Sequence, residues 1–379
     1  MAGRTVYDLT PIADWYGRVT GIQRVICEVL VPAFDRPGAE FVFWDHASAH
    51  DWVALDGPAQ VAAVGTGPVR LGDPGIAELG AGDVFVSLKG EMWEPDYIDS
   101  IRRWSEAGAD VVQVVYDMLP IVRPQFSGHS TDHMRNYLAA VAPHVTRWAV
   151  YSENTRRDLA NWLAGIAVEP EIDVFRLGDD PTGVDPGAAV RPAGLASSVQ
   201  PGGFVLCVGT IEGRKNHRLL YYAYRYAVAH GIELPELVIV GKVGWRGTDI
   251  AELLAEDPRI AGTVHVLSDL SDAGLAWCYA NCGFTVYPSE YEGWGLPIAE
   301  SLAWGKPVIA ARTSSVEEIA GDLIDYIDPY SVEGCVAALA RLRRPDALAE
   351  AEGRATSYRP TRWADSAAAF EEIIARAGR

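Results

Sequence analysis

Short runs of β-branched and apolar residues alternate with longer amphipathic stretches along almost the whole chain. This alternation is typical of parallel sheets covered by helices, because successive parallel strands are joined by crossovers that usually form a helix. In the first half the pattern predicts strands near Val6–Leu9, Glu40–Trp44, Val84–Leu88, Asp110–Val115, Arg147–Tyr151 and Ile172–Phe175. In the second half it predicts strands near Phe204–Val208, Leu237–Val240, Val264–Leu267, Phe284–Tyr287, Pro307–Ala310 and Leu323–Tyr326. The predicted fold class is therefore α/β.

The length of the chain and one proline- and glycine-rich stretch predict two domains. A chain of 379 residues is too long for a single hydrophobic core. Residues 179–203 hold several prolines and glycines without a periodic pattern, which is typical of a linker. We predict Rossmann-like domains over 1–185 and 204–360, joined by a linker over 186–203. A helix is predicted over 361–379, and it can pack back on the N-terminal domain. We expect the two doubly wound domains to face each other across a cleft, with ligands at the carboxyl ends of the strands.

The charge of the chain restricts its partners. There are 32 basic and 51 acidic residues, a net charge of −19 at pH 7. Long-range repulsion therefore disfavours nucleic acid, and it leaves room only for weak peripheral contact with an anionic membrane. No apolar run reaches the roughly 18 residues that a membrane-spanning helix needs, and the N-terminus lacks a signal-peptide pattern. We expect a cytoplasmic monomer or homodimer whose five scattered cysteines are core residues.

The signatures of several other α/β enzymes are absent from the sequence. No predicted strand is followed by G-x-G-x-x-G, and the nearest stretch, Gly241–Gly247, lacks the first G-x-G. Gly305-Lys306 is followed by Pro307 where a Walker A motif needs Ser or Thr. There is also no G-x-S-x-G nucleophile elbow. These absences disfavour a dinucleotide-dependent dehydrogenase, a P-loop NTPase and an α/β hydrolase.

The segment SEYEGWGLPIAESLAWGKPVIAA, residues 289–311, carries the clearest chemical signal. Its glycines let backbone N–H groups approach a ligand, and Pro297 suits the first turn of a helix whose N-terminus favours an anionic phosphate. Glu300 lies about one turn inside that helix, where a carboxylate can accept hydrogen bonds from a diol such as a ribose. Glu292 lies in the turn itself. A capped helix would explain one of these glutamates, but not both with glycines and a proline between them.

The spacing Glu292-x7-Glu300 resembles the E-x7-E signature of family 4 retaining glycosyltransferases, which have the GT-B fold. Other segments resemble the same family in the expected order along both predicted domains. They are TGIQRV at Thr20–Val25, VVYDMLPIVRP at Val114–Pro124, YSENTRRDL at Tyr151–Leu159, GTIEGRKNH at Gly209–His217, VGKVGW at Val240–Trp245 and SSVEEIAG at Ser314–Gly321. The resemblance implies an N-terminal domain that binds the acceptor and a C-terminal domain that binds a nucleotide sugar.

The resemblance also implies roles for individual residues. Glu300 would hold the ribose, Arg214 and Lys215 would bind the diphosphate, and Glu292 would face the donor sugar. The remaining residues implied to contact the donor are Gly209, Thr210, Lys242, Gly293, Trp294, Gly295, Leu296 and, from the N-terminal domain, Gly21. The residues expected on the acceptor side are Arg24, Tyr116 and Trp93.

The sequence departs from the family pattern at two positions. Many members carry an arginine in the phosphate loop where this chain has Thr210, and Arg214 is the candidate substitute. Many also carry a histidine near the reacting centre, where this chain reads Tyr116-Asp117. Asp117 follows a predicted strand directly, so it is a candidate general base or acceptor-orienting carboxylate. The structural alternative is a cap on the turn before Leu119-Pro120.

The expected reaction is transfer of a sugar from a nucleoside-diphosphate sugar to a hydroxyl of a glycan or lipid-linked acceptor, with retention of configuration. GDP-mannose is the favoured donor and dTDP-rhamnose is the next. Arg214 and Lys215, with Glu292 and Asp117, form the predicted catalytic set, and we expect neither a metal nor a cofactor. Two alternatives stay open. One is an inverting GT-B transferase or a nucleotide-sugar epimerase, and the other is a non-catalytic subunit that binds a nucleotide sugar.

Overall fold

In a computed structural model the chain forms two compact units. Unit 1 comprises Met1–Gly178 and Thr361–Arg379, and unit 2 comprises Asp179–Pro360. The structure describes residues 3–16, 19, 21–47, 49–90, 94–128, 130–180 and 189–378. Within these ranges, no helix is both long and apolar enough to cross a membrane.

Unit 1 is built on a mainly parallel sheet, which has seven strands within the described residues, in the order β3-β2-β1-β4-β5-β6-β7. The strands are β1 Thr5–Asp8, β2 Ala39–Asp45, β3 Asp51–Leu55, β4 Val84–Ser87, β5 Asp110–Val115, β6 Arg147–Val150 and β7 Ile172–Val174. Strands β1 and β4 are neighbours, with Asp8 opposite Ser87. The strand order reverses between them, and ligands of doubly wound sheets bind at such a position.

The helices of unit 1 pack on this sheet through aromatic residues. They are α1 Thr10–Ala13, α2 Ile22–Val29, α3 Gly57–Ala62, α4 Pro95–Glu106, α5 Leu119–Val122, α6 Ser130–Val141 and α7 Glu153–Ala164. The ring of Trp52 lies at the centre of the aromatic cluster, with ring centroids 5.4 Å from Trp44, 5.3 Å from Phe85 and 5.6 Å from Trp104. Burial of rings this large supplies much of the apolar area that stabilises the unit.

Strand β3 was not predicted from the sequence. It pairs antiparallel with β2, with Trp52 opposite Trp44 and Asp51 opposite Asp45. The two strands form a hairpin at the edge of the sheet, and Asp51 at its start is exposed. A short edge strand of this kind lacks the long apolar run and the helical crossover that mark the parallel strands.

Unit 2 contains a fully parallel sheet, with six strands in the part of the chain that the structure describes, in the order β10-β9-β8-β11-β12-β13. The strands are β8 Phe204–Val208, β9 Glu236–Val240, β10 Val264–Leu267, β11 Phe284–Tyr287, β12 Val308–Ala311 and β13 Asp325–Ile327. The helices are α8 His217–His230, α9 Thr248–Glu256, α10 Asp272–Asn281, α11 Leu296–Ala303, α12 Val316–Ala320, α13 Val332–Leu342 and α14 Pro345–Ala355. The order reverses between β8 and β11, so the loops that follow these two strands lie side by side.

The last helix of the chain, α15 Trp363–Ala377, belongs to unit 1. Phe370 stacks on Phe175 with ring centroids 5.0 Å apart. Glu371 accepts a hydrogen bond from the Tyr7 hydroxyl at 2.9 Å and forms an ion pair with Arg36 at 2.5 Å. An apolar face and a partly buried polar contact therefore join the helix to the N-terminal sheet.

The described part of the predicted linker is packed rather than extended. Leu195 and Val199 are buried in a cluster with Phe204 of β8. The Arg191 guanidinium lies 4.9 Å from the centroid of the Trp277 ring and donates hydrogen bonds to two carbonyls of the same segment. Composition alone predicted a linker over 186–203, but buried side chains make residues 189–203 part of unit 2. Residues 186–188 lie outside the described ranges.

The cysteines lie where small apolar residues are expected. Cys207, Cys278, Cys282 and Cys335 are buried, and Cys27 is half-buried. Burial raises the pKa of each of the four buried thiols to about 12. These thiols are therefore protonated and unreactive at neutral pH.

Candidate functional site

A buried carboxylate and two cations meet between the loops that follow β8 and β11. Glu292, in the loop after β11, is 6% exposed. Its Oε1 atom lies 2.6 Å from Nζ of Lys215, and its Oε2 atom lies 2.8 Å from Nη1 of Arg214. Both cations come from a 3₁₀ turn, Gly213–Lys215, that follows β8. The structure thus joins the two motifs that the sequence placed in one binding site, and we call these three residues the Glu292 cluster.

Further contacts hold the two loops together. The backbone N–H of Glu290 donates to the carbonyl of Arg214 at 2.8 Å, and Arg214 Nη1 donates to the carbonyl of Tyr291 at 3.2 Å. Arg214 Nε also forms an ion pair with Glu212 at 2.8 Å. Two cations and two carboxylates therefore sum to zero charge at this position. A neutral and hydrogen-bonded set of this kind fixes its side chains before any ligand arrives.

The electrostatics of Glu292 follow from its burial and its two partners. Burial alone would raise the pKa of this carboxyl, but the charges of Lys215 and Arg214 outweigh that effect and lower the pKa to about 2. Glu292 is therefore ionised at neutral pH, and it carries a buried negative charge that the two cations compensate.

Residues 292–296 form the glycine turn that leads into α11. Gly295 precedes α11 at φ +120°, a region that other residues avoid. A Cβ atom at Gly295 would also lie 3.1 Å from Cδ1 of Ile319. Ser314 Oγ accepts a hydrogen bond from the N–H of Glu292 at 2.8 Å, and Ser315 donates to the carbonyl of Glu292 at 3.0 Å. The segment 314–321 therefore supports this turn. In the sequence it was noticeable only for its resemblance to a family segment.

Glu300 lies on α11, about one turn after the glycine turn. Its side chain is half-buried, and Oε2 accepts a hydrogen bond from the hydroxyl of Tyr279 at 2.9 Å. Tyr279 is itself buried, and its ring stacks on that of Trp304 with centroids 6.3 Å apart. The tyrosine hydroxyl thus orients the carboxylate, an interaction that the sequence gave no sign of.

Glycines after β9 allow the loop after β8 to pack closely. A Cβ atom would lie 1.9 Å from the carbonyl oxygen of Gly209 if added at Gly241, and 2.3 Å from Cγ2 of Thr210 if added at Gly244. At Gly247 it would lie 1.8 Å from the carbonyl oxygen of Ile211. The glycines spaced three apart therefore serve backbone packing beneath the candidate phosphate loop. Gly209 in turn lies alongside the aliphatic stem of Lys215.

The other predicted donor residues of unit 2 form two groups, those at the glycine turn and those in the loops after β8 and β9. The glycine turn contains Gly293 and Trp294, and Leu296 is the first residue of α11. Lys242 is more exposed, and its ammonium group pairs with Asp269 at 3.1 Å. Thr210 packs its methyl group against Gly244, so the loop presents no cation at that position.

Two residues of this region escaped the sequence prediction. Asn216 has a left-handed backbone at φ 55°, and its Nδ2 atom donates to the carbonyls of Pro288 at 3.2 Å and Pro329 at 2.9 Å. It therefore ties together the loops after β8, β11 and β13. The sequence did hold one signal for this role. An asparagine directly after the two cations is a residue that tolerates a left-handed backbone, so it indicated a sharp turn there.

His217, the first residue of α8, is 1% exposed. Neither of its ring nitrogens has a hydrogen-bond partner in the described ranges of the chain. Burial first, and then the charge of Lys215, lower the pKa of His217 to about 4. The imidazole is therefore neutral at pH 7, although the charges of both Lys215 and Glu292 act on it.

The predicted site residues of unit 1 that the structure describes are Gly21, Arg24, Tyr116 and Asp117. Tyr116 and Asp117 line a pocket of about 400 Å³ at the carboxyl ends of the strands. Asp117 Oδ1 accepts a hydrogen bond from the N–H of Leu119 at 2.9 Å, as the capping alternative requires, and the Tyr116 hydroxyl donates to the carbonyl of Leu88. Gly21 precedes α2 at φ 50°.

The remaining predicted acceptor residues are Arg24 and Trp93. The guanidinium of Arg24 lies 5.5 Å from the centroid of the Trp363 ring on α15. Trp93 lies outside the described residues. Among the residues for which the structure gives a position, no three His, Cys, Asp or Glu side chains are grouped as metal ligands.

Comparison with known proteins places this site within a family match. Residues 198–355, which contain the Glu292 cluster and Glu300, match the family of glycosyl transferases, group 1. The chain is 31% identical over 240 residues to the serotype-specific mannosyltransferase WbdA of Escherichia coli, a match that covers 60% of this chain and 29% of WbdA. The match thus spans less than a third of the length of that relative.

Two further similarities cover nearly the whole chain. D-inositol 3-phosphate glycosyltransferase 2 of Catenulispora acidiphila is 26% identical over 395 aligned positions, covering 96% of this chain and 87% of that protein. The crystal structure of Anabaena Alr3699/HepE in complex with UDP and glucose superposes with a TM-score of 0.66 at 14% identity, covering 98% of this chain and 99% of the other. The two Rossmann-like units are therefore those of the GT-B fold, as the sequence predicted.

Proposed function

We propose that this protein is a retaining glycosyltransferase that moves a sugar from a nucleoside-diphosphate sugar to an acceptor hydroxyl. The observation that carries the proposal is the Glu292 cluster, in which Lys215 and Arg214 meet Glu292 at the point where the strand order of unit 2 reverses. A glycine turn, a helix N-terminus and the carboxylate of Glu300 adjoin it. Cations for a diphosphate and a carboxylate for a diol are the groups that a nucleotide sugar requires.

Lys215 and Arg214 are the proposed diphosphate ligands. Glu292 holds both cations in place at 2.6 and 2.8 Å. A bound diphosphate would share these cations with Glu292, and the negative charge that grows on the leaving phosphate would strengthen the interaction during the reaction. This difference between ground state and transition state is what accelerates transfer.

Glu300 is the proposed ribose ligand. Its carboxylate accepts one hydrogen bond from Tyr279, which fixes the orientation of the group. A carboxylate oriented in this way accepts hydrogen bonds from the two hydroxyls of a ribose at little additional entropic cost. Gly293, Trp294, Gly295 and Leu296 then form the proposed surface around the donor.

The proposed transfer conserves atoms and charge without a metal or a cofactor. The bond between the anomeric carbon and the phosphate oxygen breaks, and the acceptor oxygen forms a bond to that carbon on the same face. The acceptor proton passes to the leaving phosphate, which departs as the nucleoside diphosphate. Lys215 and Arg214 supply the positive charge that a metal supplies in other enzymes. Asp117, which lines a pocket in unit 1, is the proposed group that orients the acceptor hydroxyl.

The favoured donor is GDP-mannose, with dTDP-rhamnose next. The form GTIE-x-RKN of the phosphate loop supports this choice, and so does the mannosyltransferase name of the relative WbdA. The proposed acceptor is a glycan or a lipid-linked glycan, in the cytoplasm. The proposed oligomeric state is a monomer or a homodimer.

A nucleotide panel tests the proposal directly. Thermal unfolding is measured with GDP, UDP, dTDP and ADP, because a ligand that binds the folded state raises the midpoint by mass action. The corresponding nucleotide sugar is then supplied without acceptor, and slow hydrolysis is expected. The anomeric configuration of a transfer product, read by NMR, distinguishes retention from inversion. If no nucleotide raises the midpoint, the proposed function is wrong.

A further inference from the structure

Among the residues that the structure describes, Lys89 is the lysine whose ammonium group has no direct contact with a carboxylate or a carbonyl. The chain has only four lysines among 379 residues. Lys215 pairs with Glu292, Lys242 pairs with Asp269, and Lys306 donates to the carbonyls of Ala280 and Cys282. Within the described residues, the ammonium group of Lys89 has neither an ion pair nor a hydrogen bond, although the chain carries 51 acidic residues.

Lys89 lines the pocket of about 400 Å³ in unit 1, which we call the unit 1 pocket. Its other lining residues include Asp14, Trp15, Gln23, Tyr116 and Asp117. The pocket lies at the carboxyl ends of β1, β4 and β5, beside the point where the strand order of unit 1 reverses. An indole, two carboxylates and an amide are the groups that sugar sites present to ring faces and hydroxyls.

Buried polar groups fix the backbone that carries Lys89. Gln113 Nε2 donates to the carbonyl of Lys89 at 2.9 Å, and the buried Tyr137 hydroxyl donates to Gln113 Oε1 at 2.6 Å. The Tyr116 hydroxyl donates to the carbonyl of the preceding residue, Leu88. A loop held at two successive carbonyls presents its lysine from a defined position, which lowers the entropic cost of binding a ligand.

Two carboxyl groups near Lys89 provide the structural alternative. Burial raises the pKa of Asp8 and of Asp14, and the charge of Lys89 offsets part of that rise for both. Lys89 could therefore act only as a distant counter-charge. The hydrogen bonds of Asp8, however, come from Tyr97 at 2.6 Å and from the N–H of Thr10 at 2.9 Å. The Oδ2 atom of Asp14 lies 3.6 Å from Nδ1 of His46, so neither carboxyl group has Lys89 as its direct partner.

We propose that Lys89 binds an anionic group, a phosphate or a carboxylate, that the acceptor carries into the unit 1 pocket. This inference rests on the proposed function, because it concerns the acceptor of the same transfer. It specifies a sugar or polyol that bears a negative charge, rather than a neutral glycan end. Lys89 is half-buried, and its ammonium group, which has no direct partner among the described residues, gains a charge-assisted hydrogen bond when such an acceptor binds.

Calorimetry with matched neutral and anionic probes tests the proposal. The probes are mannose and mannose 6-phosphate, inositol and inositol 3-phosphate, glucose and glucuronate, and inorganic phosphate alone. The nucleoside diphosphate identified in the panel is kept at saturation, so that Lys215 and Arg214 are occupied. We expect at least one anionic probe to bind roughly tenfold or more tightly than its neutral counterpart. Inorganic phosphate should bind more weakly than that probe, because it lacks the contacts of the sugar.

Variants separate the anion site from the counter-charge alternative. Lys89→Gln should remove the advantage of the anionic probe, and Lys89→Arg should keep most of it. Arg102→Gln, which removes a charge from an exposed ion pair on α4, is the matched control and should change neither affinity. Equal binding of both probes to the wild type, or equal loss of both in Lys89→Gln, would overturn the proposal. Hydrolysis of the donor, measured on the same samples, reports independently on the proposed function.

Discussion

Lys215 and Glu292 are 77 residues apart in the sequence, yet Nζ of the lysine lies 2.6 Å from Oε1 of the glutamate. The contact exists because β8 and β11 are neighbours in the sheet of unit 2, so the loops that follow them meet. Glu292 lowers the electrostatic cost of holding two cations close together. A donor diphosphate would then bind to cations that are already in position.

Lys215→Ala should reduce turnover more than donor affinity. The leaving phosphate gains negative charge in the transition state, so the lost ammonium group matters most at that stage. We expect turnover at saturating donor to fall roughly 10²-fold or more, while the donor Kd rises less. Steady-state kinetics and calorimetry measure the two quantities. Arg343→Ala, which removes an exposed ion pair with Glu233, is the control in the same unit. Unchanged turnover at saturation would give Lys215 a plain binding role.

Glu300→Gln should weaken nucleotide binding. A neutral amide replaces a charged acceptor, and each charge-assisted hydrogen bond contributes about 1.5–3 kcal/mol. We expect the Kd of the nucleoside diphosphate to rise roughly tenfold or more by calorimetry. Tyr279→Phe removes only the hydroxyl that orients the carboxylate, and it should have a smaller effect in the same direction. An affinity within twofold of wild type for Glu300→Gln would show that the ribose binds elsewhere.

The parallel strands were predictable because their physics is local. A strand buried on both faces, such as β12 Val308–Ala311, is an apolar run that the neighbouring amphipathic helices frame. Strand β3 was missed because its place is set by a hairpin with β2 rather than by its own pattern. The proline-rich composition before β8 likewise suggested a linker, whereas Val199 is fully buried.

Within the site, the sequence predicted which residues lie in the two loops but not how they pair. The motifs placed Arg214, Lys215 and Glu292 at strand ends, and a family resemblance gave them roles. The ion pairs of the Glu292 cluster depend on the strand order of the sheet, which no local pattern contains. For the same reason Tyr279, on a different helix, could not be linked to Glu300 before the structure was known.

The stability of unit 2 should decrease as the pH is lowered, because His217 resists protonation in the folded state. The pKa of this buried imidazole is lowered from an ordinary value near 6.5 to about 4. As the pH falls below 6.5, the unfolded chain takes up a proton that the folded chain does not accept until about pH 4. The free energy of unfolding should therefore decrease by roughly 3 kcal/mol across this window.

Urea unfolding between pH 4 and pH 7 measures this loss. His217→Phe, which keeps an aromatic ring and removes the titrating group, should flatten the dependence. His230→Gln, at the exposed end of α8, is the control and should leave it unchanged. A wild-type slope that persists in His217→Phe would assign the proton uptake to other groups.

Transfer should survive removal of divalent metal ions. In the proposed mechanism Lys215 and Arg214 carry the positive charge opposite the leaving diphosphate, so a chelator has nothing essential to remove. The expected result is an unchanged rate of donor hydrolysis and transfer after dialysis against EDTA. Loss of the activity with EDTA, followed by its return with manganese or magnesium, would contradict the proposed mechanism.

Asp117→Asn should distinguish a catalytic carboxylate from a structural one. In the structure Asp117 Oδ1 accepts the N–H of Leu119 at 2.9 Å, and an asparagine oxygen can accept the same hydrogen bond. The substitution therefore keeps this hydrogen bond and removes the negative charge. Nucleotide binding should stay nearly intact, because Glu300, Arg214 and Lys215, the proposed ligands of the ribose and the diphosphate, belong to unit 2. We expect turnover at saturating donor and acceptor to fall roughly 10²-fold or more if Asp117 orients or deprotonates the acceptor hydroxyl.

Asp117→Ala, which removes both the charge and the cap, shows by its lower thermal midpoint how much the turn contributes to stability. If Asp117→Asn turns over at a near-normal rate, the carboxylate is a cap alone, and the leaving phosphate remains the acceptor of the proton.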